Sequence, residues 1–294
     1  MAQIVASCAT IHSPGLGGWI EHEDKAKRDS ILKGIEVLRE RLLATRPDLI
    51  ISIAADHMLT SPPYNMPDFA IGVAESHSGP ADGIDKWLRL KPYTIKGHRP
   101  LARMLVNASI RLGVNFVPHQ KVDLDDNFSV PLTYLNPGMK IPFVPVLINS
   151  FVPPQPQPEK CYAAAMAIKT IIETQWQGPE RIAIVATGGL SHEPGGPRNF
   201  DVDEEFDRWF LGMLSSGTPH AQVLRECSIE RMNKAGEGGT SELLAWMMAM
   251  AFSQGPAEVL AYEPTYVWRC GSGMVWWPKL AAPAKQPAPA LAAN

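Results

Sequence analysis

Length, composition and charge set the first limits on this chain. It has 294 residues, of which 45% are hydrophobic and 19% charged, and its formal net charge is −3 at pH 7. This composition is typical of a globular protein with a large core, and no basic stripe or polybasic segment indicates a nucleic-acid or membrane partner. No basic segment precedes the first apolar run, no apolar stretch reaches the ~18 residues of a membrane span, and the four cysteines are scattered, so we expect a cytoplasmic protein without disulfides.

Strand-like and helical patterns alternate along the chain. Strands are predicted at 3–10, 48–55, 141–149 and 181–187. Helices are predicted at 24–44, 100–112, 159–176, around 206–213 and from 242 onward. Such alternation indicates an α/β domain whose sheet is layered by helices, and we assign this domain to residues 1–280. Residues 281–294 form a Pro/Ala tail that we expect to be disordered.

Three histidines each follow the end of a predicted strand. His12 ends IVASCATIH, His57 follows DLIISIAAD, and His192 comes after IAIVATGGLS. Ligands of open α/β sheets bind outside the carboxyl ends of the strands, so imidazoles carried there by separate strands can meet at one site. For any one histidine alone, capping of a loop is the commoner explanation.

Three other stretches lack a residue that the motif they resemble requires. GLGGWI has Ile20 in place of the third glycine of a dinucleotide-binding loop. GLSHE has Glu193 in place of the last glycine of a nucleophile elbow, which disfavours Ser191 as a nucleophile. DLDDN begins like a calcium loop, but Phe128 and Tyr134 stand where that loop needs Gly and Glu. We therefore expect neither a dinucleotide nor a calcium site.

The segment GEGGTSELLAWMMAMAF carries a candidate carboxylate. Two glycines break the chain, Thr240 or Ser241 can cap a helix, and an apolar stripe follows, which places Glu242 in the first turn of a buried helix. Two imidazoles and one carboxylate on one face form a site for non-haem Fe(II). A buried carboxylate without a basic neighbour needs a cation, whereas the alternative for Glu242 is an acid that the helix dipole favours in a first turn.

The order of four short stretches resembles one enzyme family. HSP at His12, ADH at His57, TGGLSH at His192 and GTSELLAW at Glu242 are similar to stretches of the type III extradiol ring-cleavage dioxygenases. NMPDFAIGVAE, KGHRPLA and GGPRNFDVDEEFD resemble the branch of the family that contains the catalytic β subunit of protocatechuate 4,5-dioxygenase. The resemblance extends to about Trp277. It implies a single α/β domain with a central mixed, mostly parallel sheet layered by helices.

The resemblance also implies a role for each of the four residues. His12, His57 and Glu242 would hold Fe(II), with Mn or Zn as less expected metals, and His192 would be the catalytic acid/base. The two adjacent oxygens of a catechol-like substrate would chelate the iron, and O₂ would take a remaining position. His192 would accept a hydroxyl proton and return a proton later.

One stretch departs from the family pattern. Many members read DxDHG where this chain reads DLDDN, so Asp126 stands at the place of a pocket histidine and Asn127 at the place of the glycine. We expect Asp126 to take part in catalysis and Asn127 to contact the substrate. The departure leaves the substrate open among a protocatechuate- or gallate-like ring, an aminophenol and a hydroxypyridone.

Three further polar residues could support the site. Asp56, beside His57, either orients this ligand or caps the loop. Arg269 and Ser272 lie in the late segment TYVWRCGSGM and could bind a substrate carboxylate, although an exposed surface position is the alternative for Arg269.

The expected partners are a small aromatic substrate and O₂, together with a small second subunit that covers the active site or further copies of this chain. A metal-dependent hydrolase, in which Zn or Mn activates water, is an alternative function for the same ligand set. A non-catalytic relative that keeps the fold and binds a partner is another alternative, and the complete ligand set argues against it.

Overall fold

The buried apolar runs of the chain form one large sheet. A computed structural model describes residues 2–278, and the predicted disordered tail therefore lies outside the described residues. The strands in this part of the chain are β1 (Gln3–Thr10), β2 (Leu49–Ala55), β3 (Phe69–Gly72), β4 (Ser76–Gly79), β5 (Tyr93–Lys96), β6 (Val117–His119), β7 (Phe143–Ile148), β8 (Arg181–Thr187), β9 (Glu258–Thr265) and β10 (Cys270–Trp277).

Helices connect most of these strands. Within the same residues they are α1 (Gly15–Gly18), α2 (Lys25–Ala44), α3 (Asp85–Leu88), α4 (Arg99–Ser109), α5 (Asp126–Leu135), α6 (Pro158–Thr174), α7 (Glu204–Ser215), α8 (His220–Glu226), α9 (Ile229–Ala235) and α10 (Leu243–Met250). The predicted helix at 24–44 is α2, which the side chain of Asp24 caps by accepting the backbone N–H groups of Ala26 and Lys27. A short 3₁₀ turn, Gly239–Glu242, leads directly into α10.

The main sheet is mixed, as predicted. Its eight strands follow the order β6-β3-β7-β2-β8-β1-β10-β9. The central strands β7, β2, β8 and β1 are parallel to one another, while β10 runs antiparallel to β1 and to β9. The pair β4 and β5 forms a separate antiparallel ribbon.

Helices cover both faces of the sheet, so the central strands are apolar throughout. On β2, Ile51 and Ile53 face one core with α4, α6 and α10, whereas Ile50 and Ala54 face the other core with α2 and α5. This two-sided burial explains why the strand reads as a continuous apolar run and not as an alternating one. The three strands that precede the candidate histidines, β2, β8 and β1, are immediate neighbours, and their carboxyl ends therefore meet at one edge of the sheet.

Candidate active site

A cavity of about 430 Å³ opens at this edge of the sheet. Its lining includes the side chains of His12, His57, His192 and Glu242, so the four residues singled out by the sequence lie together. The rest of the wall is largely apolar and includes four aromatic side chains, Trp19, Trp87, Phe151 and Trp268. A cavity of this size with apolar walls and a few convergent polar groups suits a small aromatic molecule.

The two histidines and the glutamate form a compact cluster on the cavity wall. Nε2 of His12 lies 3.1 Å from Oε2 of Glu242, and Nε2 of His57 lies 3.1 Å from Oε1 of the same carboxylate. One ligand atom from each of the three residues lies within 4.8 Å of the others. Glu242 thus faces each imidazole with a different oxygen, and all three groups point to a common centre.

The opposite nitrogen of each ring has a fixed partner. Nδ1 of His57 lies 3.0 Å from Oδ2 of Asp125. Nδ1 of His12 lies 3.2 Å from the Thr187 hydroxyl, which donates its own proton to the Asn127 carbonyl at 2.6 Å. Because that hydroxyl has one proton, it accepts from Nδ1–H of His12. In both rings Nε2 is therefore the nitrogen that is available to a metal.

The carbonyl that binds Thr187 is available because of a proline inside α5. Pro131 lies four residues after Asn127 and has no N–H to donate to the Asn127 carbonyl. Thr187, the last residue of β8, supplies the missing donor. The neighbouring helix, and not the sheet alone, consequently fixes the orientation of His12.

Glu242 approaches the chain closely at two glycines. Its Oε2 accepts the Gly189 N–H at 2.7 Å, and a Cβ atom on Gly188 would lie 2.9 Å from Cβ of Glu242. Gly188 of TGGLSH thus lets Glu242 pack closely against the chain, whereas Gly189 leaves room for the His192 ring, which lies 2.7 Å from the position of a Cβ on Gly189. The predicted capping by Thr240 or Ser241 is absent, because Thr240 accepts the His192 N–H and Ser241 donates to Asn233.

Glu242 is buried, and within residues 2–278 its ionic partners are histidines, with no lysine or arginine. Burial acts to raise the pKa of Glu242, but His12 and His192 hold it well below its usual range. Burial likewise acts to lower the pKa of His57, and the carboxylates of Asp125 and Asp126 outweigh it and raise that pKa well above the usual value.

His192 lies beside the cluster and outside it. Its Nε2 is 3.7 Å from Oε1 of Glu242, beyond hydrogen-bond distance, and its Nδ1–H donates to the Leu190 carbonyl at 2.8 Å. Nε2 therefore presents its lone pair to the cavity. Burial acts to lower the pKa of His192, but Glu242 and the Leu190 carbonyl raise it overall.

The remaining predicted site residues divide into two groups. Asp126 and Arg269 line the cavity, and Oδ1 of Asp126 lies 3.4 Å from Nδ1 of His57. Asn127 and Ser272, predicted to contact the substrate, have side chains directed elsewhere. The Asn127 amide donates to the Ala55 carbonyl at 2.9 Å, and Ser272 is buried in β10 with its hydroxyl 2.6 Å from that of Thr265.

Two residues that orient the candidate ligand rings, Asp125 and Thr187, were not predicted to do so. Asp125, and not Asp56, contacts His57, because both Asp56 oxygens accept backbone N–H groups, from Thr60 and Ser61, and cap the loop. Asp125 is part of the DLDDN stretch, so its position was visible, but nothing in the sequence assigned it to His57. The second residue is Thr187.

Comparison with known proteins identifies the family. The family model for the catalytic LigB subunit of aromatic ring-opening dioxygenase matches residues 7–271. The chain belongs to this family. It is therefore an extradiol-type, ring-cleaving dioxygenase that acts on a catechol-like substrate with O₂, as the sequence resemblance predicted, and LigB-family enzymes of this type are metal-dependent. The family decides against the metal-dependent hydrolase and the non-catalytic relative.

Individual relatives of known activity share less than a third of their aligned residues with this chain. A 2,3-dihydroxyphenylpropionate/2,3-dihydroxicinnamic acid 1,2-dioxygenase of Escherichia coli O81 (strain ED1a) is 28% identical over 234 residues, which are 77% of this chain and 68% of the relative. An enzyme of the same name from Mycobacterium sp. (strain MCS) is 29% identical over 205 residues, 67% of this chain and 59% of the relative.

The fold is also found in a solved structure. The crystal structure of an uncharacterized protein from Escherichia coli K12 aligns with a TM-score of 0.53 at 13% identity, covering 83% of this chain and 92% of that one. This likeness concerns the fold alone. In residues 2–278, no helix is both long and apolar enough to cross a membrane.

Proposed function

We propose that this chain is an Fe(II)-dependent extradiol dioxygenase in which His12, His57 and Glu242 hold the metal and His192 acts as the acid/base. The observation that carries the proposal is the meeting of these three ligands, from distant parts of the chain, on the wall of one cavity.

The donor set suits Fe(II). Two imidazole nitrogens and one carboxylate on a single face are typical of non-haem Fe(II) oxygenases. The same donors hold zinc in some hydrolases, so membership in a dioxygenase family is what favours iron here. Ligand atoms about 2.1 Å from one ion and at right angles lie about 3 Å apart, and each imidazole Nε2 lies 3.1 Å from the Glu242 oxygen that faces it. A buried carboxylate without a lysine or arginine partner also favours a bound cation. Mn and Zn remain less expected occupants.

Fe(II), when bound, supplies the one-electron chemistry that the spin-forbidden reaction of O₂ with a catechol requires. The chain contributes orientation and proton transfer. Because Nδ1–H of His192 is held by the Leu190 carbonyl, its Nε2 can accept a proton from a substrate hydroxyl in the cavity and later return one. The apolar wall reduces the room for water beside a bound ring, and its four aromatic side chains offer faces on which the ring can stack.

Asp126 supports a narrower choice of substrate. A carboxylate on the cavity wall repels a substrate carboxylate placed next to it, and it accepts a hydrogen bond from a hydroxyl, an amine or a ring N–H. We propose that the preferred ring carries such a donor at this end, as an aminophenol, a hydroxypyridone or a ring with an additional hydroxyl does. The names of the two relatives support a dihydroxyphenyl ring with a carboxylate on a side chain.

Oxygen uptake by the metal-loaded enzyme tests the proposal. The protein is loaded anaerobically with Fe(II), Mn(II) or Zn(II), its metal content is measured, and each form receives protocatechuate, gallate, an aminophenol and a dihydroxyphenyl alkanoate. We expect one Fe(II) bound per protein chain, and one O₂ consumed for each ring that is opened. Equal activity of the zinc form, or no oxygen uptake with any of these rings, would contradict the proposal.

Assembly and location stay predictions. A small second subunit over the cavity, or association with further copies of this chain, is checked by the mass of the purified enzyme in solution. The cytoplasmic location agrees with Cys8, Cys161, Cys227 and Cys270, which are all buried free thiols.

A further inference from the structure

Arg269 is the one lysine or arginine among the described residues that line the cavity. It directly precedes Cys270, whose Cβ lies 3.5 Å from the position of a Cβ on Gly189, the residue that donates its N–H to Glu242. Arg269 thus stands on the cavity lip, close in the fold to the ligand cluster. The other charged lining residues, Asp126 and Glu242, are acidic.

The backbone at Arg269 has an unusual conformation for its residue type. Its φ is 64°, in the left-handed region that favours glycine or asparagine. It ends the tight turn between β9 and β10, where its N–H donates to the Tyr266 carbonyl at 3.2 Å. Arginine at such a position is strained, and strained residues in a well-held turn occur often at binding sites.

Two residues near the start of α2, Glu23 and Lys27, hold this turn in place. The buried carboxylate of Glu23 accepts the backbone N–H groups of Val267 at 2.9 Å and Trp268 at 3.1 Å, and Lys27 donates to the Pro264 carbonyl at 2.6 Å. These contacts fix the direction in which the Arg269 side chain leaves the turn.

The N–H groups of the Arg269 guanidinium are available to a ligand. The guanidinium lies over the Phe200 ring, 4.7 Å from the centroid, and no acidic side chain among residues 2–278 is within 4.0 Å of its nitrogens. Arg41 and Arg198, by contrast, pair with Glu258 and Glu193. The Phe200 ring makes no hydrogen bond and so leaves the guanidinium N–H groups free for an anion, and arginine binds carboxylates through two such parallel N–H groups.

We propose that Arg269 binds the carboxylate of a side chain on the aromatic substrate. This inference rests on the proposed function and deepens it, because it sets the orientation of the ring. The anionic tail lies at the lip with Arg269, and an edge of the ring that carries a hydrogen-bond donor faces Asp126 near His57. Attraction at the lip and repulsion at Asp126 then act in the same sense.

The test compares a dihydroxyphenyl alkanoate with its methyl ester, which has nearly the same shape and no charge. In Arg269→Gly, kcat/KM for the acid relative to the ester should fall about tenfold or more, as for loss of a charge-assisted hydrogen-bonded pair. Glycine adopts the positive φ without strain, so the melting temperature should not fall. Arg269→Lys keeps the charge without the planar fork and should give an intermediate ratio.

The matched control is Arg46→Gly. Arg46 also has a positive φ, 48°, but it lies outside the cavity lining, so this variant should leave the ratio unchanged. An equal fall for acid and ester in Arg269→Gly, or the same fall in Arg46→Gly, would overturn the inference.

A binding measurement separates this inference from the proposed function. Trp19, Trp87 and Trp268 line the cavity, so tryptophan fluorescence under anaerobic conditions reports binding of acid and ester without turnover. If no ring is opened, yet the acid binds more tightly than the ester and Arg269→Gly removes this preference, the proposed function fails and the inference stands. If rings are opened, but Arg269→Gly changes neither the acid-to-ester ratio of kcat/KM nor the acid-to-ester ratio of binding affinity, the inference fails and the proposed function stands.

Discussion

The imidazole Nδ1 of His57 lies 3.0 Å from the Asp125 carboxylate, and the start of a helix fixes that carboxylate. The other Asp125 oxygen accepts the Asn127 N–H at 2.9 Å and thereby caps α5. One side chain thus begins a helix and orients a candidate metal ligand. A hydrogen bond of this kind holds a ligand ring in place and raises its basicity.

Asp125→Asn should therefore weaken metal binding without unfolding α5. Asparagine caps a helix about as well as aspartate, but it cannot stabilise the His57 N–H as a carboxylate does. We expect Fe(II) affinity to fall about 10–100-fold, measured by competition with a chelator under anaerobic conditions. The control is Asp123→Asn, which removes a carboxylate that pairs with Lys121 and should leave the affinity unchanged. Unchanged Fe(II) affinity in Asp125→Asn would rule out this role.

His192→Ala should separate proton transfer from metal binding. Because Nε2 of His192 lies outside the ligand cluster, we expect the iron content to stay near the wild-type value and turnover to fall ~100-fold or more. Metal analysis and oxygen uptake on the same sample measure both. The exposed His22→Ala is the control and should behave as wild type. Loss of iron in His192→Ala would instead make His192 a ligand.

Asp126→Ala and Asp126→His test the choice of substrate. If Asp126 repels a carboxylate attached directly to the ring, kcat/KM for protocatechuate relative to unsubstituted catechol should rise about tenfold in both variants, because a like charge in a low-dielectric site is removed. The measurement is the ratio of the two kcat/KM values. If the ratio does not move in either variant, Asp126 does not select the substrate.

Asp207 should make stability depend on pH. It is buried, and it accepts the Ser191 N–H at 2.7 Å and the Tyr262 hydroxyl at 3.0 Å beneath the loop that carries His192. Burial raises the pKa of Asp207 to about 6, despite these two hydrogen bonds. The folded state therefore binds this proton more tightly than the unfolded state, and the associated stability, present below about pH 4, is lost as the pH rises through about 6.

Asp207→Asn isolates this contribution, because all other titrating groups are shared with the wild type. The difference in free energy of unfolding between variant and wild type should shift in favour of the variant by about 2 kcal/mol from pH 4 to pH 7, since one pKa unit is about 1.36 kcal/mol and part of the shift lies below pH 4. Urea unfolding of the metal-free proteins at several pH values measures it. A difference that is constant with pH would show that Asp207 has no raised pKa.

The sequence was most informative where burial is two-sided. The strands that became β1, β2 and β8 read as continuous apolar runs, and the histidines after them lie together because carboxyl ends of neighbouring parallel strands share an edge. This topology explains why the histidines of the candidate ligand cluster lie together. Glu242 was recognised for another reason, since its sequence neighbours are apolar and offer it no basic partner.

Two of the elements that were not predicted, α5 and the β9–β10 hairpin, contain residues that are unusual for such elements. α5 contains Pro131, which normally ends a helix, and it is tolerated because Thr187 binds the carbonyl that the proline leaves free. The turn between β9 and β10 lacks the usual glycine or asparagine, since Arg269 takes the left-handed position, so no turn signal marked this hairpin. Hydrogen bonds between residues that are distant in the chain, such as that of His57 with Asp125, depend on tertiary packing. The local sequence pattern does not reveal them.

The three candidate ligands are also made at very different times. A ribosome synthesises His12 and His57 early, whereas Glu242 appears only after most of the chain has been translated. β1 is completed on one side still later, because its antiparallel neighbour β10 ends at Trp277. A nascent or truncated chain that stops before Glu242 therefore carries the two imidazoles without the carboxylate and lacks one of the three candidate metal ligands. Metal binding by the complete ligand set that we propose must therefore follow the synthesis of Glu242.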